Sequence, residues 1–177
     1  RDLRLEDHAA LCAAAIRDRI LPLVIVEPDY WRQPDVSARQ WNFWHACIED
    51  LGDSIAAKGG QLCIRVGDAV ETLAAIRIAH GPFVLRAHEE TGDAWTFERD
   101  KAVRRWCKAE GIAFEESRQF GVWRGRRVNR DRWAQAWDRM MAMPAQPAPP
   151  LLMWERCESD VLPCAEGLGL EDDGLQI

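Results

Sequence analysis

The chain has 177 residues, 47% of them hydrophobic and 29% charged; this is ordinary globular composition, which excludes a disordered or fibrous chain and fits one domain. The formal net charge is -6, unevenly placed: from Glu155 onward seven acidic residues stand against Arg156 alone, so the 23 basic and 29 acidic residues leave 22 of each in the first 154. A neutral body with an acidic tail is a poor grip on a polyanion, because affinity for nucleic acid comes largely from neutralising phosphates.

Asp7 is the expected N-cap of an alanine-rich helix, His8 to Ile16. The β-branched run Ile20 to Val26 reads as a strand buried on both faces, and it is too short to cross a bilayer. Two prolines punctuate Glu27 to Pro34 as a loop. Ser37 then caps a long helix with Trp41, Trp44, Cys47, Ile48, Leu51 and Ile55 at helical spacing, and Gly59-Gly60 stops it. Gln61 to Val66 is the next strand, Gly67-Asp68 a turn, and Ala69 to Ala79 a helix. Pro82 to Ala87 is a strand, Trp95 to Ala109 a helix closed by Gly111, and Ile112 to Glu115 a short strand. This alternation predicts an α/β fold with a doubly wound, mainly parallel, Rossmann-like sheet.

Beyond Glu115 the pattern changes. Phe120 to Arg127 is irregular and basic, Asn129 caps a helix from Arg130 to Met143, and Pro144 to Pro150 holds four prolines in seven residues. Residues 1–143 are therefore read as the α/β domain and 144–177 as a proline-rich linker and acidic tail. A doubly wound fold normally opens on a central strand, so the first strand is expected to be missing before Arg1. Without it, poor solubility or a molten state is expected of the isolated chain.

The six cysteines show no CxxC and no Cys/His ligand spacing, so reduced thiols are expected, with no disulfide, zinc or iron-sulfur cluster. His8, His45, His80 and His88 likewise show no metal spacing, no Ser/His/Asp arrangement stands out, and Gly67-Asp-Ala69 is too short for a phosphate loop. No basic n-region leads into an apolar stretch, so a cytoplasmic protein with no membrane partner is expected.

Arg1-Asp-Leu-Arg-Leu-Glu-Asp-His8 resembles the segment after the first strand of the DNA photolyase and cryptochrome family. The helix after Arg39, the Val66-Gly-Asp-Ala69 turn and the loop His88-Glu-Glu-Thr-Gly-Asp-Ala-Trp-Thr-Phe-Glu-Arg-Asp100 resemble later blocks of the same family, in order up to about Pro150. The resemblance implies an N-terminal antenna-binding domain, whose FAD-holding helical partner domain and contact with damaged DNA lie outside this chain. In that family light passes from the antenna to reduced FAD, which donates an electron to a flipped pyrimidine dimer. A light-driven DNA-repair lyase is thus expected of the full-length protein, probing DNA as a monomer, with this chain not catalytic by itself. A signalling cryptochrome and a free-standing nucleotide-binding domain are the alternatives.

Ligands of open α/β sheets sit at the carboxyl ends of strands. The candidate cofactor contacts are accordingly Arg1, Asp2 and Arg4 after the first strand and Glu89, Glu90, Trp95, Thr96, Arg99 and Asp100 after the fourth, with Glu27 onward after the second. Arg1 and Arg4 suit an acidic pigment tail, and Trp95 or Phe97 a planar ring. Against this stands a plain reading in which Asp2, Arg4 and Asp7 bond to one another and cap the first helix. Trp95-Thr96 stands where the folate-binding pattern of the family has an Asn-Glu pair. That puts folate in doubt as the second chromophore and leaves a deazaflavin, another flavin or an empty pocket. Arg124, Arg126, Arg127, Arg130 and Arg132 are read as a solvated or interdomain loop, and the tryptophans as core or interface.

Overall fold

The computed structural model describes residues 2–16, 19–119, 121–122, 124, 129–150 and 152–171. Contacts divide the chain into two compact units: Arg1–Arg17 with Val84–Leu151, and Asp18–Phe83 with Leu152–Ile177. Of the segment 144–177 read as linker and tail, the proline-rich part falls in the first of these units and the rest in the second.

The second unit is built on β1 (Leu23–Val26) and β2 (Cys63–Val66), paired in parallel with Leu23 opposite Cys63 and Val26 opposite Val66. Pro22 has no N–H to give a ladder, and β1 starts after it, shorter than the apolar run; Ile20 makes only an isolated bridge to Trp154. The expected loop after β1 holds a helical turn, α2 (Pro28–Trp31), with Pro28 in the first turn, where a missing N–H costs nothing. The helix α3 (Ala38–Ala56) is capped by Ser37 and buries Trp41, Ile48, Leu51 and Ile55 on one face. Asp68 caps α4 (Ala69–His80) by accepting from the N–H groups of Val70 and Glu71 at 2.8 and 3.0 Å.

The tail is part of this unit. Ala165 and Leu168, the latter in a 3-10 turn (Glu166–Leu168), join Val26, Trp31, Ala38 and Trp41 in one core cluster. Upstream, the Ser159 hydroxyl accepts from Ile64 N–H at 2.9 Å, Asp160 N–H donates to the Ile64 carbonyl at 2.8 Å, and Asp160 Oδ2 accepts from Val66 N–H at 2.8 Å. Trp154 lies so close to Gly60 that a Cβ there would come within 2.6 Å of its ring. The expectation of six reduced cysteines is corrected here: Cys63 and Cys157 form a disulfide, with Cα atoms 6.1 Å apart. Cys107 fits the core-thiol reading, and burial pushes its pKa up.

The first unit contains α1 (Ala9–Ala15), β3 (Val84–His88), α5 (Ala94–Ala109), β4 (Ala113–Ser117) and α6 (Arg130–Met141). β3 and β4 are parallel, Val84 opposite Ala113 and His88 opposite Ser117. The α/β class is as expected, but the described strands form two parallel pairs, β1-β2 and β3-β4, where one sheet was expected. The first cap differs too: Asp7 takes a positive φ of 49°, and the His8 imidazole caps α1 by accepting from Leu11 N–H at 3.0 Å. The proline-rich segment is held at this turn, where Asp7 N–H donates to the Gln146 carbonyl at 2.7 Å.

Candidate functional site

β3 ends at His88, and the chain leaves it through Glu89 and Glu90 into the first turn of α5, whose N-cap is Asp93. Most of the candidate residues meet at this carboxyl end of the first unit. His88 is 1% exposed, and its Nδ1 contacts Asp2 Oδ1. The His8 ring lies 4.6 Å from the His88 ring, centroid to centroid. Burial lowers the His8 pKa; the Asp2 carboxylate opposes that shift, while His88 and Arg4 add to it.

Arg4 is engaged locally. Its Nε donates to the Glu6 and Asp7 carbonyls at 3.0 and 3.2 Å and its Nη2 to the Asp7 carbonyl at 2.7 Å, with the Asp7 carboxylate 3.5 Å away. That geometry is the plain turn-forming reading, with His8 in place of Asp7 as the cap. Arg1 lies outside the described residues.

On the other side of His88 a charged network closes on itself. Glu90 Oε1 accepts from the N–H groups of Thr91 and Gly92 at 2.9 and 2.8 Å, shaping the loop. Its Oε2 accepts from Arg99 at 3.4 Å, and Arg99 Nε donates to Asp100 Oδ1 at 2.8 Å. Arg124 ties the group together, donating to the Glu90 carbonyl at 2.6 Å, to Glu116 Oε1 at 2.6 Å and to Asp100 Oδ2 at 3.4 Å. Arg104 reaches Glu116 Oε2 at 2.5 Å. Three carboxylates thus meet three guanidiniums in a half-buried place, so the charges neutralise one another. Glu89 pairs only distantly with Arg118, at 3.9 Å.

Sequence reasoning missed Arg124, Glu116 and Arg104 as members of this network. Arg124 is not part of a solvated basic loop; Arg130 and Arg132 are exposed on α6, and Arg126 and Arg127 lie outside the described residues. Replacing Glu116 with alanine is expected to cost about 2 kcal/mol, less than the loss from a fully buried pair because Arg104 and Arg124 reach water. Urea unfolding checks this, and a loss under about 0.5 kcal/mol would mean that solvent already satisfies both arginines.

Trp95 is half-buried in the first turn of α5, and the Thr96 hydroxyl is bonded to Asp93 at 3.0 to 3.1 Å. Glu27 belongs to the other unit, where it is buried at the carboxyl end of β1.

Parallel strand pairs that alternate with helices along the chain define the α/β class of fold. A family model described as DNA photolyase matches residues 1–135, and the chain belongs to that family. It is 33% identical over 98 residues to the rice cryptochrome DASH, chloroplastic/mitochondrial, a match covering 51% of this chain and 17% of that protein. It is 45% identical over 62 residues to the deoxyribodipyrimidine photo-lyase of Salmonella typhimurium, covering 33% and 13%.

Among solved structures, the class III photolyase of Agrobacterium tumefaciens superposes with a TM-score of 0.73 at 20% identity, over 98% of this chain and 37% of that one. The Synechocystis cryptochrome gives 0.75 at 14% identity, over 99% and 40%. The archaeal photolyase of Sulfolobus tokodaii, described with two FAD molecules and a novel light-harvesting cofactor, gives 0.64 at 19% identity, over 96% and 39%. These likenesses show the fold. The chain spans about two fifths of the length of those structures, and the matched segments under one fifth of either curated relative. No described helix is long and apolar enough to cross a membrane.

Proposed function

We propose that the chain is the antenna-binding N-terminal domain of a blue-light-driven deoxyribodipyrimidine photolyase, with the FAD-holding helical domain and the grip on damaged DNA supplied by residues outside these 177. The observation that carries this reading is the family match over residues 1–135. The second chromophore is assigned to the start of α5, at Trp95 and Thr96, with Glu89 in the loop before them. Asp2, Glu90, Arg99 and Asp100 support the loop that presents them, because their charges are committed to protein partners. When bound, FAD supplies the light-driven electron donation; this domain would hold and orient the antenna. We place the protein in the cytoplasm, as a monomer without membrane contact.

A cryptochrome photoreceptor is the second reading, favoured by the match to the rice cryptochrome DASH. The test is the absorption spectrum of dark-purified protein expressed from the complete reading frame, with released cofactors identified by mass. Flavin plus a second near-ultraviolet chromophore is the expected result. Trp95→Ala should then lower occupancy of the second chromophore roughly tenfold, as loss of one stacking face does. Dimer repair under blue light separates photolyase from cryptochrome. A protein with no chromophore would overturn both readings in favour of nucleotide binding.

A further inference from the structure

Asp2, His8 and His88 are far apart in sequence, yet the fold brings one ligand atom of each within 4.8 Å of the others. Asp2 sits in the N-terminal segment, His8 caps α1, and His88 ends β3. A direct contact between Asp2 and His88 joins two of the three. His8 caps α1 through one ring nitrogen, and its ring is held 4.6 Å from that of His88, so two imidazoles and a carboxylate share one small volume.

Two imidazoles and one carboxylate form a donor set suited to borderline divalent transition ions, zinc in particular; calcium and magnesium take oxygen instead. We propose that Asp2, His8 and His88 form a binding site for a divalent transition metal of the zinc type. Three protein ligands leave a fourth position for water or for an anionic group of a small ligand, as in zinc sites that are not purely structural. The ion would sit where Asp2 and His88 now meet and draw in His8. Ligation by His8 exchanges the single cap hydrogen bond from Leu11 N–H for a metal–nitrogen bond. Arg4, the cation near His8, is bonded to the Glu6 and Asp7 carbonyls and to the Asp7 carboxylate. The site would pin the N-terminal segment and α1 to the end of β3, beside the loop that carries Glu89, Glu90 and Trp95.

The test uses protein from the complete reading frame, stripped with a chelator and titrated with zinc by calorimetry and with cobalt(II) by visible absorption. One zinc per chain and the visible bands of a low-coordinate cobalt site are expected. Asp2→Asn and His8→Asn, the latter chosen because asparagine can still cap α1, should each weaken zinc roughly tenfold or more with unchanged far-ultraviolet circular dichroism. Absence of saturable binding would overturn the proposal. So would equal affinity in wild type and both variants, which would put the ion on side chains elsewhere, such as His45 or Cys164.

Discussion

Trp41→Ala is expected to lower the unfolding free energy of the second unit by about 3 to 5 kcal/mol, the range for truncating a buried aromatic. Trp41 is 0% exposed and packs edge-on to Trp31 at 4.8 Å, with Trp44 at 5.5 Å and His45 at 5.9 Å. Removing the indole would open a cavity among the neighbouring rings, Trp31 on α2 and Trp44 and His45 on α3 itself, whose helices limit how far they can collapse into it. The indole also carries a liability: its Nε1–H finds no hydrogen-bond partner among the described residues, and a buried unmet donor costs about 1 to 3 kcal/mol. Trp41→Phe removes that donor along with one ring, so the two effects oppose each other and its net cost should fall within about 1 kcal/mol of zero. Urea unfolding of the three proteins decides. Equal large losses in both variants would mean that shape alone governs the site, and a Trp41→Ala loss under about 1 kcal/mol would remove the cluster from the core.

The second large effect is expected from Cys157→Ser. The Cys63–Cys157 bridge spans 94 residues of sequence, and loops of that length give close to 4 to 5 kcal/mol in the chain-entropy account. Under oxidising conditions the variant should therefore unfold at markedly lower denaturant than wild type, and a thiol reductant should bring wild type down to the variant. Identical midpoints in oxidised wild type and Cys157→Ser would mean that the pair is not bridged in solution. Disulfides are rare in the reducing cytoplasm, so a cytoplasmic protein would work on the lower of the two stabilities.

The local signals carried most of the architecture. Ser37 and Asn129 each cap the helix expected of them, because a short side chain with an oxygen at the right offset is legible from four adjacent residues. His8 displaced Asp7 because its imidazole nitrogen can accept the same bond, an option that a cap preference built on oxygen side chains does not weigh. The misses that matter most for the site and the core are long-range. Nothing near Cys63 announces Cys157, and nothing in the run around Arg124 announces Glu90, Asp100 and Glu116, which reach it from α5, β4 and the loop before α5. The tail was discounted because its apolar residues are sparse. Ala165 and Leu168 nonetheless reach the core, since two or three side chains suffice when the rest of the pocket is already built by Val26, Trp31 and Trp41. The Asp2, His8 and His88 cluster escaped for the same reason: a metal spacing is visible in sequence only when its ligands are neighbours in the chain.

Strand β2 shows what the tail does besides filling space. A bare strand edge is a template for any other extended chain, and among the described strands β2 pairs with β1 alone. On its other side the amides of Ile64 and Val66 are met by the side chains of Ser159 and Asp160. Side-chain oxygens satisfy those groups without offering a new row of amides in turn. The ladder therefore ends at the tail, and a second molecule arriving strand-first meets a carboxylate where it would need a backbone partner; solubility of this unit is to that extent a property of residues near the end of the chain.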